Sequence, residues 1–321
     1  MSEANKTQIT RFLKARLGAV DYLPDPRDYQ VALLTPEMLE TIPDEEYALL
    51  DWVSQDTGRS QGNIGSCVGW CNSFAYEIAK NIKRTSEDAG QFLFDMSAGY
   101  MYQKSRERAG IPLPSEGSTN FGAMKALLKD GITSEEYCKT DIVKPFDFEP
   151  KDGAYLVAQS NKIDAYYRVG TTPTAMKAAM LGLTHDPGYR MPDGTMGLCP
   201  MVTAFLVYKN TWSDGYVDGF VKIPVPGDEL LGGHSSLIIG WIVLNGKTWW
   251  INYGSWGTSI GTGIENSLGT MVEGIFLIEE GYPFKDAWVF RMGDVEPELE
   301  KSLWCKLGDF FNAMGKCKEV K

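Results

Sequence analysis

Histidine is nearly absent from these 321 residues, which hold only His185 and His234. Any chemistry that needs an imidazole therefore has two candidates. Cysteine is sparse as well. Cys67, Cys71, Cys138, Cys199, Cys305 and Cys317 are scattered without the density of a disulfide scaffold, and no pair has zinc-ribbon spacing. No structural metal and no cofactor are expected, and the chain reads as built for a reducing compartment. There is no run of about 18 apolar residues to span a membrane. Met1 to Arg16 is polar and carries no apolar signal segment, so the expected location is cytoplasmic. Basic charge is in deficit, with 31 Lys and Arg against 42 Asp and Glu and a net charge of −11. Without a basic stripe, that balance excludes a general nucleic-acid binder. Lys301 to Lys321 is locally basic but too short and mixed to reverse the exclusion.

What is present is ordinary globular composition, 43% hydrophobic and 23% charged, in a length that suits one large domain or two lobes. The most informative stretch is Gln61-Gly62-Asn63-Ile64-Gly65-Ser66-Cys67-Val68-Gly69-Trp70. It sets a cysteine behind a glycine-rich turn at the head of a helix, because Trp70, Phe74, Ile78 and Ile82 recur every four residues. Asn63 or Ser66 can cap its start. A thiol in the first turn feels the positive end of the helix dipole, which favours the nucleophilic thiolate. Gln61, six positions upstream, offers an amide donor where an oxyanion would develop. A small buried structural cysteine is the plainer reading of Cys67.

The chain divides into four expected parts. Residues 1–50 are an N-terminal arm and lead-in, extended over the proline-punctuated Asp21 to Tyr29, with a short helical turn from Thr35 to Leu39. Residues 51–150 form a helical lobe carrying Cys67. Its second helix is capped by Asp95 or Ser97 and ends at Pro112 and Pro114, and its third runs from about Phe121 to Gly131. Residues 151–293 form a strand-rich lobe, with strands at 165–169, 201–208, 235–244, 247–253, 274–278 and 287–291 and a short helix opened by Thr172-Pro173. Asn245-Gly246 is a hairpin turn between two of these strands. Residues 294–321 are a charged tail in which Trp304, Leu307, Phe310, Phe311 and Met314 suggest an amphipathic helix that packs on the body or docks on a protein partner. The class is α+β.

His185 sits in Thr184-His185-Asp186-Pro187-Gly188, a surface-loop composition that predicts a solvated ring. His234 follows Gly232-Gly233 at the mouth of an apolar strand and is the better partner for Cys67. With that pair on the page, the chain resembles the papain-like cysteine peptidases, of the microbial or viral type. Gln61 to Trp70 resembles the family's glutamine, nucleophilic cysteine and following helix. Gly233-His234 through Trp241 resembles its histidine strand. Trp249 to Thr258 resembles the strand that ends in asparagine-serine-tryptophan-glycine, Pro24 to Tyr29 the bacterial lead-in, and Glu116 to Ser118 the substrate-lining loop. The resemblance runs in order over roughly residues 20 to 290.

It implies a two-lobed fold, helical lobe against an antiparallel β-barrel-like lobe with a cleft between, and a peptide or protein substrate. Cys67 would be the nucleophile, His234 the general base and later acid, and Gln61 with the Cys67 backbone N–H the oxyanion hole. Gly117 and Ser118 would present backbone to an extended substrate, and Trp256 would shield the histidine. Four departures stand out. The orienting asparagine is replaced by Gly254; Asn252, two residues earlier on the same side of the strand, could be brought within reach by a bulge, or water could stand in. Ile64 and Val68 replace a half-cystine and an aromatic. Ile260 replaces a tryptophan and is followed by an insertion to about Glu273. No long helical propeptide precedes the lead-in, so control by that device is not expected. The reading is a thiol hydrolase cleaving peptide or isopeptide bonds through a Cys67 acyl-enzyme. Its rival is a papain-fold binding or structural protein with little turnover, for example a virion component. Acyl transfer to an amine would use the same dyad.

Overall fold

The computed structural model describes residues 3–21, 31, 34–43, 47–53, 59–83, 95–143, 149–189, 198–258 and 261–293. Pro24 to Tyr29, Ile260 and the tail from 294 lie outside the described residues, as do Cys305 and Cys317. The order begins with α1 (Glu3–Lys14), α2 (Pro36–Glu40), β1 (Tyr47–Ala48), α3 (Cys67–Lys83), α4 (Ala98–Ala109), α5 (Asn120–Lys129) and α6 (Ala154–Ser160). It continues through β2 (Ile163–Val169), α7 (Pro173–Met180), β3 (Met201–Tyr208), α8 (Lys209–Asp218), β4 (Phe220–Val221), β5 (Leu230–Leu244) and β6 (Lys247–Tyr253). It closes with β7 (Thr262–Glu265), β8 (Met271–Glu279) and β9 (Phe284–Met292).

The helical lobe is punctuated by its own side chains. Ser97 Oγ accepts the Tyr100 N–H at the head of α4, and Thr119 Oγ1 accepts that of Gly122 at the head of α5. Gly110, left-handed at φ 67°, stops α4 before the prolines expected to end it. The helix α3 was expected to be apolar on one face, yet every residue from Cys67 to Ile82 except Lys80 is buried. It runs through the middle of the molecule, with α4 and α5 on one side and β5 on the other. Its polar side chains find partners inside: Asn72 Nδ2 donates to the Val68 carbonyl, Ser73 Oγ to that of Trp70, and Glu77 takes a forked pair from Arg59.

The strands form one open sheet in the order β2-β9-β3-β5-β6-β8-β4, with β1 on β5 and β7 on β8. The long strand β5 pairs with β3 from Met201↔Ile238 to Tyr208↔Leu230 and with β6 from Leu237↔Tyr253 to Leu244↔Lys247. Asn245 and Gly246 turn the β5–β6 hairpin at φ 53° and 74°, as that dipeptide dictates. The insertion expected near Glu273 is ordered as β7, paired with β8 from Thr262↔Ile275 to Glu265↔Met271. This is a two-lobed papain-like α+β fold. One apolar core runs through it, from Leu49 and Cys67 to Trp288 and Phe290. Among the described residues, no helix is long and apolar enough to cross a membrane.

Candidate active site

The first turn of α3 and the head of β5 meet across the cleft. Cys67 is fully buried, and its Sγ accepts the backbone N–H of Ser235, the residue after His234, at 3.4 Å. Burial pushes the thiol up to about 11, although N–H groups of Ser235, Gly18, Val68 and Cys67 itself pull the other way. The helix terminus alone therefore does not make a thiolate here. His234 is equally enclosed. Its ring lies 4.4 Å from that of Trp256 and 5.7 Å from that of Phe205. Burial lowers its pKa to about 3, the Arg16 backbone raises it and the Arg16 charge lowers it. Burial thus disfavours the charged form of both groups and opposes the thiolate that the helix terminus favours.

Gln61 is fixed on three sides. Its N–H donates to the Ser255 carbonyl at 2.8 Å, its Oε1 accepts from Ser255 Oγ at 2.5 Å, and its Nε2 donates to the Ile64 carbonyl at 2.6 Å. The same Nε2 donates to the Arg16 carbonyl at 2.9 Å. A peptide carbonyl oxygen thus occupies the position expected of an oxyanion, and it comes from this chain.

That oxygen belongs to a strap, residues 16–20, that fills the cleft between the lobes. On one wall Ser118 donates its N–H to the Gly18 carbonyl at 2.8 Å, and its carbonyl accepts the Val20 N–H at 2.8 Å, with Ala19 and Ser118 paired in parallel. On the other wall the Gly233 carbonyl accepts the N–H groups of Gly18 and Ala19, each at 3.1 Å. Contact is backbone to backbone. A Cβ on Gly18 would stand 1.9 Å from the Gly65 carbonyl oxygen, and one on Gly233 would stand 2.3 Å from the Ala19 oxygen. Helix α1 anchors the strap beyond His234, where the Phe12 ring lies 5.1 Å from Tyr216 and 6.3 Å from Trp256 and carries the Arg16 guanidinium 3.4 Å over its face. No long helical propeptide was expected; the arm nonetheless carries the 12-residue helix α1, which leads into the cleft. The sequence hid it because α1 is polar apart from Ile9, Phe12 and Leu13, and its order comes from docking on α8.

Cys67, His234, Gln61, Trp256, Gly117 and Ser118 all line this region, Gly117 so closely that a Cβ on it would stand 2.6 Å from the Gly18 carbonyl oxygen. Asn252 does not join them. It pairs with Ile238, four residues along β5 from His234 and so about 13 Å away at the rise of a strand. The register shift in this hairpin falls between Ile238 and Gly240, on the opposite strand and at the far side from His234. No described bulge carries Asn252 toward the imidazole.

Two features went unread in the sequence. Ser235 Oγ donates to Asn120 Oδ1 at 2.7 Å and Asn120 Nδ2 to Asp286 Oδ1 at 3.0 Å, a buried chain from the cysteine's neighbour to the sheet. Burial raises Asp286 to about 6. Nothing local in Asn120 or Asp286 announces a contact 166 residues apart. His185, expected to be solvated, is half-buried beside Tyr167, with its Nε2 3.5 Å from Cys199 Sγ. Burial lowers its pKa to about 4. It has a cysteine of its own and no part in the Cys67 site. Among the described residues, no three His, Cys, Asp or Glu side chains gather as metal ligands would.

No family model and no curated sequence matches the chain. Solved structures do. Xylellain, a cysteine protease from Xylella fastidiosa, is 22% identical with a TM-score of 0.66, over 88% of this chain and 97% of that one. Procathepsin B from Trypanosoma congolense is 17% identical with a TM-score of 0.60, over 89% of both chains. Procathepsin L 3 from the larval midgut of Tenebrio molitor is 15% identical with a TM-score of 0.55, over 89% of this chain and 79% of that one. At these identities the likeness is one of fold.

Proposed function

We propose that the chain is a papain-like thiol hydrolase of peptide or isopeptide bonds, held latent by its own residues 16–20. The observation that carries this reading is that Gln61 and His234, from separate segments beside Cys67, both engage the backbone of Arg16. Gln61 Nε2 donates to the Arg16 oxygen, an Arg16 backbone hydrogen bond acts on His234, and the Cys67 sulfur takes the N–H of Ser235, two residues from the Gly233 carbonyl that holds Gly18 and Ala19. An extended peptide already satisfies the cleft, so the cleft is shaped for one. The fold neighbours agree: one is described as a cysteine protease and two carry procathepsin names.

With a substrate in place of the strap, Cys67 Sγ would bond to the scissile carbonyl carbon while its proton passes to His234. Gln61 Nε2 and the Cys67 N–H would hold the oxyanion. Collapse would break the C–N bond, with the imidazolium proton leaving on the amine. Water, deprotonated by the same imidazole, would then release the acid and restore the thiol. An amine in place of that water would give acyl transfer.

The rival reading, a papain-fold structural protein such as a virion component, draws on Gly254 and on the tail. One experiment separates the two. The full chain is opened by mild acid or limited proteolysis, then treated with an irreversible epoxide-type thiol probe and with peptide substrates. The peptidase reading expects one label, on Cys67, lost in Cys67→Ala together with turnover. Labelling that is unchanged in Cys67→Ala ends it.

A further inference from the structure

The backbone that holds the strap on the helical wall is itself held from behind. Tyr102 and Arg106 lie one turn apart on α4, so their side chains share a face of that helix. Both are buried, Arg106 at 4% exposure, and both reach Gly117. The Gly117 N–H donates to the Tyr102 hydroxyl at 2.9 Å, and the Gly117 carbonyl accepts from Arg106 Nη1 at 3.0 Å. The same guanidinium donates to that hydroxyl at 3.3 Å and, through Nη2, to the Pro112 carbonyl at 3.3 Å. A cation sunk this deep is tolerated only where its N–H groups find acceptors, and here two of those acceptors are backbone carbonyls of one loop.

The consequence falls on the next residue. Gly117 turns the chain with a φ of 91°, a left-handed value that suits glycine. With both of its polar groups engaged by α4, Ser118 carries the groups left for the cleft. Ser118 gives its N–H to the Gly18 carbonyl and takes the Val20 N–H on its own carbonyl, both at 2.8 Å. On the far side Thr119 caps α5, so the chain is fixed immediately before and after Ser118. Glu116 Oε2 accepts the Gly65 N–H at 2.9 Å, which ties the same loop to the turn before Cys67. A shelf anchored in this way presents one hydrogen-bonding edge at a set place relative to the sulfur.

We propose that Tyr102 and Arg106 are positioning residues of the peptide-binding cleft. They lock the Gly117 peptide groups, and through them they set the N–H and carbonyl of Ser118 for an extended backbone. In the resting protein that backbone is the strap; in the open one it is the substrate. For the substrate this rests on the hydrolase reading, and for the strap it does not. Neither side chain takes part in making or breaking a bond.

The variant Tyr102→Phe keeps the ring beneath the Arg106 guanidinium and removes only the hydroxyl. Amide hydrogen exchange is followed by NMR in the full-length protein. Exchange at Gly117 and Val20 should speed up about 5- to 150-fold, the range expected when one buried donor loses its partner. The amides of the β5–β6 ladder should keep their protection. Once the cleft has been opened, peptide hydrolysis by the variant should show KM raised by a similar factor at unchanged kcat, because the shelf binds ground state and transition state alike. Arg106→Lys keeps the charge but not the fork; it should move both readouts the same way, and it serves if Tyr102→Phe does not fold. Wild-type exchange at Val20, a loss of protection spread evenly through β5 and β6, or a fall in kcat at unmoved KM overturns the proposal. If Cys67 proves inert to thiol probes, the hydrolase reading fails alone, and exchange at Val20 still decides whether α4 sets the shelf.

Discussion

Replacing Gly18 by alanine should open the cleft. The added methyl would sit 1.9 Å from the Gly65 carbonyl oxygen and 2.4 Å from its carbon, and both are backbone atoms that no rotamer change can move. The strap must withdraw, giving up the Val20–Ser118, Ser118–Gly18, Ala19–Gly233 and Gln61–Arg16 hydrogen bonds. At roughly 0.5–1.5 kcal/mol net for each, these hold the strap by about 2–6 kcal/mol. Each 1.4 kcal/mol is tenfold in a population, so the open form should gain roughly 30-fold to 10⁴-fold. The assay is the rate of Cys67 alkylation by iodoacetamide at pH 7.5, followed by intact mass, with Cys67→Ala as blank. Since burial is what raises the thiol, its reactivity should extend to lower pH if withdrawal of the strap returns water to it. A Gly18→Ala protein alkylated at the wild-type rate would refute the reasoning, because the strap would then not be what covers the sulfur.

Three further outcomes are expected. Phe12→Ala removes the ring that touches Tyr216 and carries Arg16, so it should speed alkylation too, by less than the Gly18 change, without lowering the melting temperature of the body by more than a few degrees. Arg59→Met strands the buried Glu77 carboxylate, at a cost of about 3–5 kcal/mol, seen as a lower urea midpoint at unchanged m-value. His234 titrates near 3 when folded against 6.5 unfolded, so the unfolded chain binds the extra proton between those values. Stability should therefore fall as pH drops from 6.5 toward 3, and His234→Gln should flatten that part of the urea-midpoint profile; an unchanged profile would mean the ring is hydrated in solution.

Local rules made much of this fold readable. The N-caps at Ser97 and Thr172 and the Asn245-Gly246 turn each act within a few residues, and the pattern of β3, β5 and β6 marks buried strands directly. Cys67, expected at the head of a helix, opens α3, whereas His234, expected at the mouth of a strand, lies inside β5, which begins at Leu230. What stayed hidden is decided at long range. The helix α8 begins where Asp228 accepts the N–H groups of Asn210 and Thr211, a cap supplied from 17 residues downstream of the second. The strap is harder still. Leu17-Gly18-Ala19-Val20 has no periodicity to betray it, and its meaning appears only once Gly65, Ser118 and Gly233 stand around it. Asn252 was expected to reach the imidazole only by a bulge or through water, and the register shift of this hairpin falls on the other strand, between Ile238 and Gly240.

By stitching Ser118 on one wall to Gly233 on the other, residues 18–20 also serve as mortar between the two halves of the molecule. Whatever frees the sulfur must at the same time loosen that joint. The resting protein should then outlast its working form under heat or protease, and a faster trigger would come at the expense of shelf life. Readiness and durability are set against each other by a single stretch of backbone.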